Sequence, residues 1–400
     1  MMLKKISINI AALLFAAITF SFIIVFVNSF NQKLVEYKYI EDDSKSINYI
    51  PTITDQHNAI DFLKEKSLEY GFKHNHVILF GSSELTNRTH KFIPYDFLTK
   101  NLNIPTIGIG KAHFELLAIY GYLSAYQEYL NKDSRIVIIL SPGWFEKTDL
   151  LPQAYNSHFP SYIANKLAND ENAKNIFSNY LNENQDNFEN LNTTQLKLIH
   201  KDNIIASSVT NILNYIAEAR VNIKNIITDN HAIKADNIYV LHEGPLMKKQ
   251  FQIANTEVQW LDLANDAKNI ELKNMSKETQ WVNKKYYEKY VKDKKIKKAF
   301  PNGIKYSKEM NAFDNILNLL TKYNVDALFI MQPLNPYVYT DTNDFKPVEN
   351  IISEKIKSHG MGYLNLIEEQ YQPGVLTDIM HMGEYGWLLT DKAIVEHFAK

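Results

Sequence analysis

The sequence has no cysteine among its 400 residues, and its basic and acidic residues nearly balance at a net charge of −2. The missing thiols exclude disulfides, thiolate catalysis, cysteine-bound zinc and iron–sulfur clusters. A nucleic-acid-binding surface would normally bring a large basic excess, which this protein lacks. There is no glycine-rich phosphate loop, and the histidines His74, His76, His90 and His113 lack ligand spacing, so neither a cofactor nor a metal is predicted. With 45% hydrophobic and 22% charged residues, the protein is expected to fold, with room for an insertion.

An uncharged apolar run, Ile6–Val27, follows two lysines at the N-terminus. Its length approaches the roughly 20 residues that cross a bilayer, and the lysines place the N-terminus in the cytoplasm. A cleaved signal peptide would need a shorter apolar core and a better cleavage site than Val27–Ser29, and a buried soluble helix is the other alternative. We predict a cytoplasmic N-terminus with a single-pass membrane anchor over residues 1–31, a polar stalk over 32–54 and an extracytoplasmic domain over 55–400.

The body alternates short, β-branched apolar runs with amphipathic segments. Near-continuous apolar strands joined by helices indicate an α/β fold with a parallel sheet covered on both faces. In such sheets, ligands bind beyond the carboxyl ends of the strands. The predicted strands lie near 77–80, 106–110, 135–140, 327–331 and 363–367, and the predicted helices near 113–131, 307–324 and 346–359. The stretch from about 150 to 300 breaks this alternation and is predicted to be a helical insertion.

A strongly basic run, Lys284–Lys298, lies at the end of the predicted insertion. One interpretation is a surface that faces anionic lipid headgroups or a polyanionic substrate. The other is an ordinary solvated helix face.

The first motif with chemical potential is Gly81-Ser82-Ser83-Glu84, at the end of the first core strand. A serine in a strand-to-helix turn can expose its hydroxyl above the sheet, where backbone N–H groups point toward a developing oxyanion. The preceding glycine allows a sharp turn. The alternative is a serine that merely caps a helix.

The second motif is Asp378-Ile-Met-His381. A carboxylate three residues before a histidine can orient the imidazole through Nδ1 and leave Nε2 free to take a proton from serine. Both residues could instead be ordinary loop residues. Together, an early serine and a late Asp-x-x-His pair are typical of SGNH-type hydrolases, which are three-layer α/β/α sandwiches. The Gly-x-Ser-x-Gly elbow of α/β-hydrolases is missing.

The whole sequence resembles the DltD family of membrane-anchored D-alanyl transfer proteins of lipoteichoic acid modification. The similarity rests on the N-terminal anchor and on five short motifs: Gly81–Leu85, Leu140–Phe145, Tyr286–Tyr290, Pro333–Asn335 and Asp378–Gly383 with Gly386-Trp387. This sequence has Gly143 in the Ser-Pro-x-Trp-Phe slot that commonly holds glutamine in the family, so no side-chain amide is available there.

The resemblance implies transfer of D-alanine onto lipoteichoic acid or a similar anionic polyol-phosphate polymer. The D-alanyl donor would be delivered by a DltB-like membrane-bound O-acyltransferase. On this basis Ser83 is the expected nucleophile, His381 the base and Asp378 its orienting partner, with Ser82 as the other possible nucleophile. The expected oxyanion or substrate contacts are Gly110, Trp144 and Asn335, although Trp144 could simply pack and Asn335 could simply shape a turn. The functional alternatives are an SGNH-type polysaccharide O-acetyltransferase or esterase, and a non-catalytic scaffold for the acyltransferase.

Overall fold

A computed structural model describes most of the protein after residue 60. The described residues are 61–86, 89–146, 160–183, 247–293, 297–304 and 308–400, the segments 46–49 and 239–242, and the single positions 15, 19, 22, 26, 29 and 198. The predicted anchor therefore lies outside the described residues, apart from five helical positions. Within the described part of the protein, no helix is both long and apolar enough to cross a bilayer.

The described residues form seven strands, five of which make up one sheet. The strands are β1 (Ser46–Tyr49), β2 (Val77–Phe80), β3 (Thr106–Ile109), β4 (Arg135–Leu140), β5 (Tyr239–His242), β6 (Asp326–Met331) and β7 (Gly362–Asn365). The large sheet has the order β3-β2-β4-β6-β7, and every neighbouring pair in it is parallel. The prediction of a parallel sheet is therefore confirmed, and each of its five strands lies where an apolar run was found.

Helices cover both faces of this sheet. The longer described helices are α1 (Asp61–Lys73), α2 (Pro94–Leu102), α3 (Leu116–Ala125), α4 (Ser161–Leu167), α5 (Glu171–Glu183), α6 (Met247–Glu257), α7 (Trp260–Leu272), α8 (Lys308–Lys322), α9 (Lys346–Ser358) and α10 (Glu384–Phe398). Successive side chains of β2 alternate between two hydrophobic cores: Ile78 and Phe80 join α3, α8 and α9, whereas Val77 and Leu79 join α2, α6 and α10. This alternation follows from the two-residue period of a strand, and it makes both faces of the sheet apolar.

The region predicted as a helical insertion contains α4, α5, α6 and α7 in its described parts. It also contains β5, which pairs antiparallel with β1. Strand β1 lies inside the segment that was expected to be an irregular stalk. Each of these two strands has only four residues and its partner is far away in the sequence, so no local periodicity could reveal the pairing.

The strand order defines where a ligand can bind. After β2 the backbone passes to β3 on one side, and then returns to β4 on the other side of β2. Loops that leave the carboxyl ends of two such strands diverge and open a crevice between them. Ser83 follows β2 directly, so its turn lies at this crevice.

Candidate active site

Ser83 is presented by a tight turn at the carboxyl end of β2. The strand ends at Phe80, and one turn of 3₁₀ helix, Ser83–Thr86, begins three residues later. The N–H of Gly81 donates to the carbonyl of Ile109 at 3.1 Å, which ties the turn to the end of β3. This is the strand-to-helix turn that the sequence predicts, and Ser83 is partly exposed in it.

A buried carboxylate supports the turn from below. Glu84 is buried, and its Oε1 accepts the backbone N–H of Ser82 at 2.6 Å. Burial raises the pKa of Glu84 above its ordinary value, although the N–H groups of Ser82 and of Glu84 itself act in the opposite direction. A carboxylate that satisfies a buried N–H just before a helix holds the backbone in place. Glu84 thereby restricts the conformations open to the turn that carries Ser83.

The structure brings Ser83 and His381 into hydrogen-bond contact across 298 positions of sequence: Ser83 Oγ lies 2.7 Å from His381 Nε2. On the other side of the ring, His381 Nδ1 lies 2.7 Å from Asp378 Oδ2. The second oxygen of Asp378 accepts the backbone N–H groups of Met380 and His381, at 2.9 and 2.8 Å. The Asp-x-x-His spacing thus forms a compact loop in which the Asp378 carboxylate binds both the ring and the backbone N–H of His381.

The electrostatics of this loop favour a protonatable imidazole. Burial lowers the pKa of His381, but the hydrogen bond and the negative charge of Asp378, together with Glu84, outweigh it and hold the pKa above its ordinary value. An imidazole with a raised pKa is a stronger base toward the hydroxyl that it contacts. The aligned Ser83, His381 and Asp378 can therefore pass a proton from the hydroxyl to the ring while the carboxylate stabilises the resulting charge.

The two adjacent serines occupy different positions. Ser82 is buried, and its Oγ donates to the carbonyl of Lys111 at 3.1 Å rather than to the histidine. The sequence allowed either hydroxyl to be the nucleophile. In the structure, the Ser83 hydroxyl contacts His381.

Gly110 lies beside the same turn. A Cβ added at this position would stand 2.7 Å from the carbonyl oxygen of Gly81 and 2.9 Å from a methyl of Leu85. The backbone after β2 and the backbone after β3 therefore lie so close together that position 110 has no room for a side chain. This places the Gly110 backbone against the turn that carries Ser83, and the oxyanion contact of Gly110 stays a prediction.

Asn335 and Trp144 fit the structural alternatives that the sequence left open. The Asn335 side chain is buried; its Oδ1 accepts the N–H groups of Tyr337 and Val338, and its Nδ2 donates to the carbonyl of Gln280. Its own N–H donates to the carbonyl of Ile379, in the loop that carries the Asp378–His381 pair. Trp144 follows β4 in a short helix, with its ring in the hydrophobic core. Asn335 thus braces the loop and Trp144 packs, while the substrate contacts expected of both residues stay predictions.

Three residues around the site were not predicted from the sequence. Glu84 was visible in the first motif, but its pattern indicates only the start of a helix. Tyr286 and Tyr339 stand close enough to Asp378 for its charge to act on them: burial and then Asp378 raise the pKa of Tyr339 to about 12, and the same causes raise the pKa of Tyr286. Tyr286 lies in one of the five family-like motifs, but no local signal could show that it faces a carboxylate so distant in sequence.

The comparisons with known proteins agree on one family. A family model described as DltD protein matches residues 50–399. The chain is 23% identical over 334 residues to Protein DltD of Bacillus subtilis (strain 168), a match that covers 80% of this chain and 81% of that protein. It is 19% identical over 381 residues to Protein DltD of Staphylococcus aureus (strain NCTC 8325 / PS 47), a match that covers 91% of this chain and 89% of that protein. The match to the family model includes Ser83, Asp378 and His381.

Proposed function

Because this chain belongs to the DltD family, we propose that it transfers D-alanine onto lipoteichoic acid or a similar polyol-phosphate polymer through an acyl-serine. The observation that carries this proposal is the continuous hydrogen-bond path from Ser83 Oγ through His381 to Asp378, at the crevice beyond β2. The two-sided covering of the parallel sheet supports an SGNH-type sandwich as the scaffold for this chemistry.

In the first half-reaction, Ser83 Oγ attacks the carbonyl carbon of the D-alanyl donor while His381 Nε2 takes the hydroxyl proton. The bond from the carbonyl carbon to the donor's leaving group breaks, and His381 returns the proton to that group. In the second half-reaction a polymer hydroxyl gives its proton to His381 and attacks the acyl-serine. The carbon–Oγ bond then breaks and Ser83 recovers the proton. Charge and atoms balance without a cofactor.

The developing oxyanion needs hydrogen-bond donors beside Ser83. We assign this role to the backbone N–H groups of Ser83 and Gly110, because the close approach of Gly110 to Gly81 holds both strand ends at the nucleophile. Each such donor contributes about 3 kcal/mol to transition-state stabilisation in other acyl-transfer enzymes. Asp378 contributes by stabilising the imidazolium that forms in each step.

The polymer lies outside the cytoplasm, so the proposal includes a membrane anchor over residues 1–31 with the catalytic domain on the outer side. The helical positions described there carry exposed phenylalanines at 15, 22 and 26. Their spacing of seven and four places them on one helix face. A lipid environment or a membrane-bound partner would cover such a face. A DltB-like O-acyltransferase that delivers the donor is the proposed partner.

The test combines a chemical probe with a cell assay. An activated serine probe should label the wild-type protein and the Ser82→Ala variant, but not Ser83→Ala or His381→Ala. In cells lacking the protein, wild type and Ser82→Ala should restore ester-linked D-alanine in the envelope, and Ser83→Ala should not.

Each alternative has its own signature in the same assays. Loss of ester-linked acetate instead of D-alanine would indicate an O-acetyltransferase or esterase. Full complementation by Ser83→Ala would indicate a scaffold, and it would overturn the acyl-serine mechanism.

A further inference from the structure

Three aromatic rings, two exposed and one partly exposed, lie next to each other on segments that contact the loop of the candidate site. The ring centroids of Trp281 and Tyr337 are 6.5 Å apart, and those of Tyr337 and Tyr371 are 5.9 Å apart with their planes nearly perpendicular. The Tyr337 hydroxyl donates to the carbonyl of Tyr371 at 3.2 Å, which fixes the two rings relative to each other. Tyr337 is 41% exposed and Tyr371 is 54% exposed. We call Trp281, Tyr337 and Tyr371 the aromatic ledge.

The ledge is tied directly to the loop that carries His381. The Asn335 backbone N–H donates to the carbonyl of Ile379, and the Asn335 side chain donates to the carbonyl of Gln280, next to Trp281. A second connection runs from the N–H of Asn283 to the carbonyl of Thr377. The segments that bear the ledge and the loop that bears the histidine are therefore held together by hydrogen bonds on both sides.

The backbone at Trp281 is held in an unfavourable conformation. Gln280 and Trp281 have φ values of 54° and 55°, a region that bulky residues rarely enter. The Trp281 N–H donates to the carbonyl of Ser276 at 2.9 Å, and the Asn335 side chain binds the Gln280 carbonyl. Strain of this kind persists only where the surroundings enforce it, and it is concentrated at ligand-binding and catalytic sites. Here it sets the direction of a partly exposed indole.

A group of cations follows Trp281 closely in the sequence. Lys284, Lys285 and Lys289 are exposed, and among the described residues no carboxylate pairs with any of them. The neighbouring Lys292, in contrast, is neutralised by Glu288 at 2.9 Å. We call Lys284, Lys285 and Lys289 the lysine row. It is one part of the basic run found in the sequence that can meet an external anion; Lys297 and Lys298, farther along the run, are exposed as well.

We propose that the aromatic ledge and the lysine row form the docking surface for the acceptor, a polymer in which phosphodiester groups alternate with polyol or sugar units. The rings offer apolar faces to the carbon skeleton of each unit, and the ammonium groups pair with the phosphates. This inference rests on the proposed function, because that function requires a polymer hydroxyl to reach His381. The hydrogen bonds between ledge and loop favour a polymer over a lipid surface, since only the polymer must be aligned with the histidine.

The charged half of the surface is tested with matched triple variants of the full-length protein in neutral-lipid nanodiscs. The first triple variant carries Lys284→Gln, Lys285→Gln and Lys289→Gln. At low salt it should bind a glycerol-phosphate polymer without its lipid roughly tenfold more weakly than wild type does. For this variant, the slope of log Kd against the logarithm of the salt concentration should be smaller than for wild type by about two. The control changes three exposed lysines at the opposite, amino-terminal edge of the sheet, Lys73, Lys322 and Lys357, to glutamine. It loses the same charge and should stay within twofold of wild type.

The aromatic half is tested by Tyr371→Ala, which should weaken polymer binding roughly fivefold, and by Tyr371→Phe, which keeps the ring and should bind as wild type does. Thermal melting verifies that each variant is folded; single Lys→Gln variants replace a triple that melts early. Equal weakening by the two lysine triples would show a net-charge effect and overturn the proposal. So would an unchanged polymer Kd in the 284/285/289 triple.

A parallel titration with short-tailed phosphatidylglycerol separates the polymer from a lipid surface. If the 284/285/289 triple loses only lipid binding, the surface faces the membrane and the inference is wrong. Failure of the proposed function has a different signature. In that case Ser83→Ala would still restore envelope D-alanine, whatever the polymer Kd. If Ser83 is essential but the two triples bind the polymer equally, only the docking surface is refuted.

Discussion

The close backbone approach beside the nucleophile makes Gly110→Ala the most informative single substitution. The new Cβ would stand 2.8 Å from the carbonyl carbon of Gly81 and 2.7 Å from its oxygen. Carbon atoms in contact prefer about 3.5 Å or more, so the two strand ends must separate by roughly 0.7 Å. The atoms in the way are backbone atoms, which cannot rotate aside. The displacement therefore reaches the turn that carries Ser83.

Two effects of Gly110→Ala are expected. Forced overpacking at a close backbone contact destabilises a protein by about 1–3 kcal/mol, which thermal melting will detect. A misplacement approaching 1 Å at a nucleophile costs up to about 100-fold in rate, so the labelling of Ser83 by an activated serine probe should slow by about 10- to 100-fold. The assay is the second-order labelling rate, measured by mass spectrometry with Ser83→Ala as the blank.

Gly143→Ala is the matched control, because it adds the same methyl group after the neighbouring strand. Its nearest heavy atom would be Ser141 Oγ at 3.7 Å, an ordinary contact. Labelling and melting of this variant should stay close to wild type. If Gly110→Ala labels at the wild-type rate and melts normally, the contact with Gly81 does not hold the turn that carries Ser83. Slow labelling of Gly143→Ala would refute the steric explanation as well.

Two further predictions concern titratable groups. Asp378→Asn removes the carboxylate that raises the pKa of His381, so burial should then lower that pKa. The acid limb of the pH–labelling profile should move to lower pH, and the labelling rate should fall by up to about 10⁴-fold. An acid limb that does not move would contradict the assignment of Asp378. Asp391 is buried, and neither of its carboxylate oxygens has a hydrogen-bond partner among the residues that the structure describes. Burial, with the charge of Glu384, raises its pKa well above the ordinary value. The folded state therefore keeps a proton that the unfolded state releases, and stability falls as pH rises above the ordinary aspartate range. Asp391→Asn should accordingly raise the melting temperature more at pH 8 than at pH 4, and an equal change at both would refute this explanation.

Much of the fold could be predicted because its signals are local. Each strand of the parallel sheet is an apolar run bounded by polar or turn residues, as in Arg135–Leu140, and α8 and α9 coincide with predicted amphipathic segments. The helix α3 also lies where one was predicted, but it is buried on all sides rather than amphipathic. The pairing of β1 with β5 could not be predicted, since it joins two four-residue strands that are far apart in the sequence.

In the candidate site, too, the features with a local sequence signal could be predicted and those that depend on long-range contacts could not. The motifs at Ser83 and at Asp378–His381 carry recognisable chemistry in their spacing, and the structure brings them together. The bracing role of Asn335 and the support from Glu84 depend on partners fixed only by folding. For Trp144 the sequence allowed both packing and substrate contact, and the structure shows its ring packed in the core.

By itself, the amino-acid sequence determined the five strands of the parallel sheet, the turn chemistry around Ser83 and the Asp-x-x-His spacing by which a carboxylate can orient the ring of His381. These depend on interactions between residues a few positions apart, which composition and spacing express directly. Only the tertiary structure decided which of two adjacent hydroxyls meets the histidine, and it alone assembled the aromatic ledge from segments near 281, 337 and 371. The physical reason is that the direction of a side group and its long-range partners are set by how the layers pack, which no local pattern encodes.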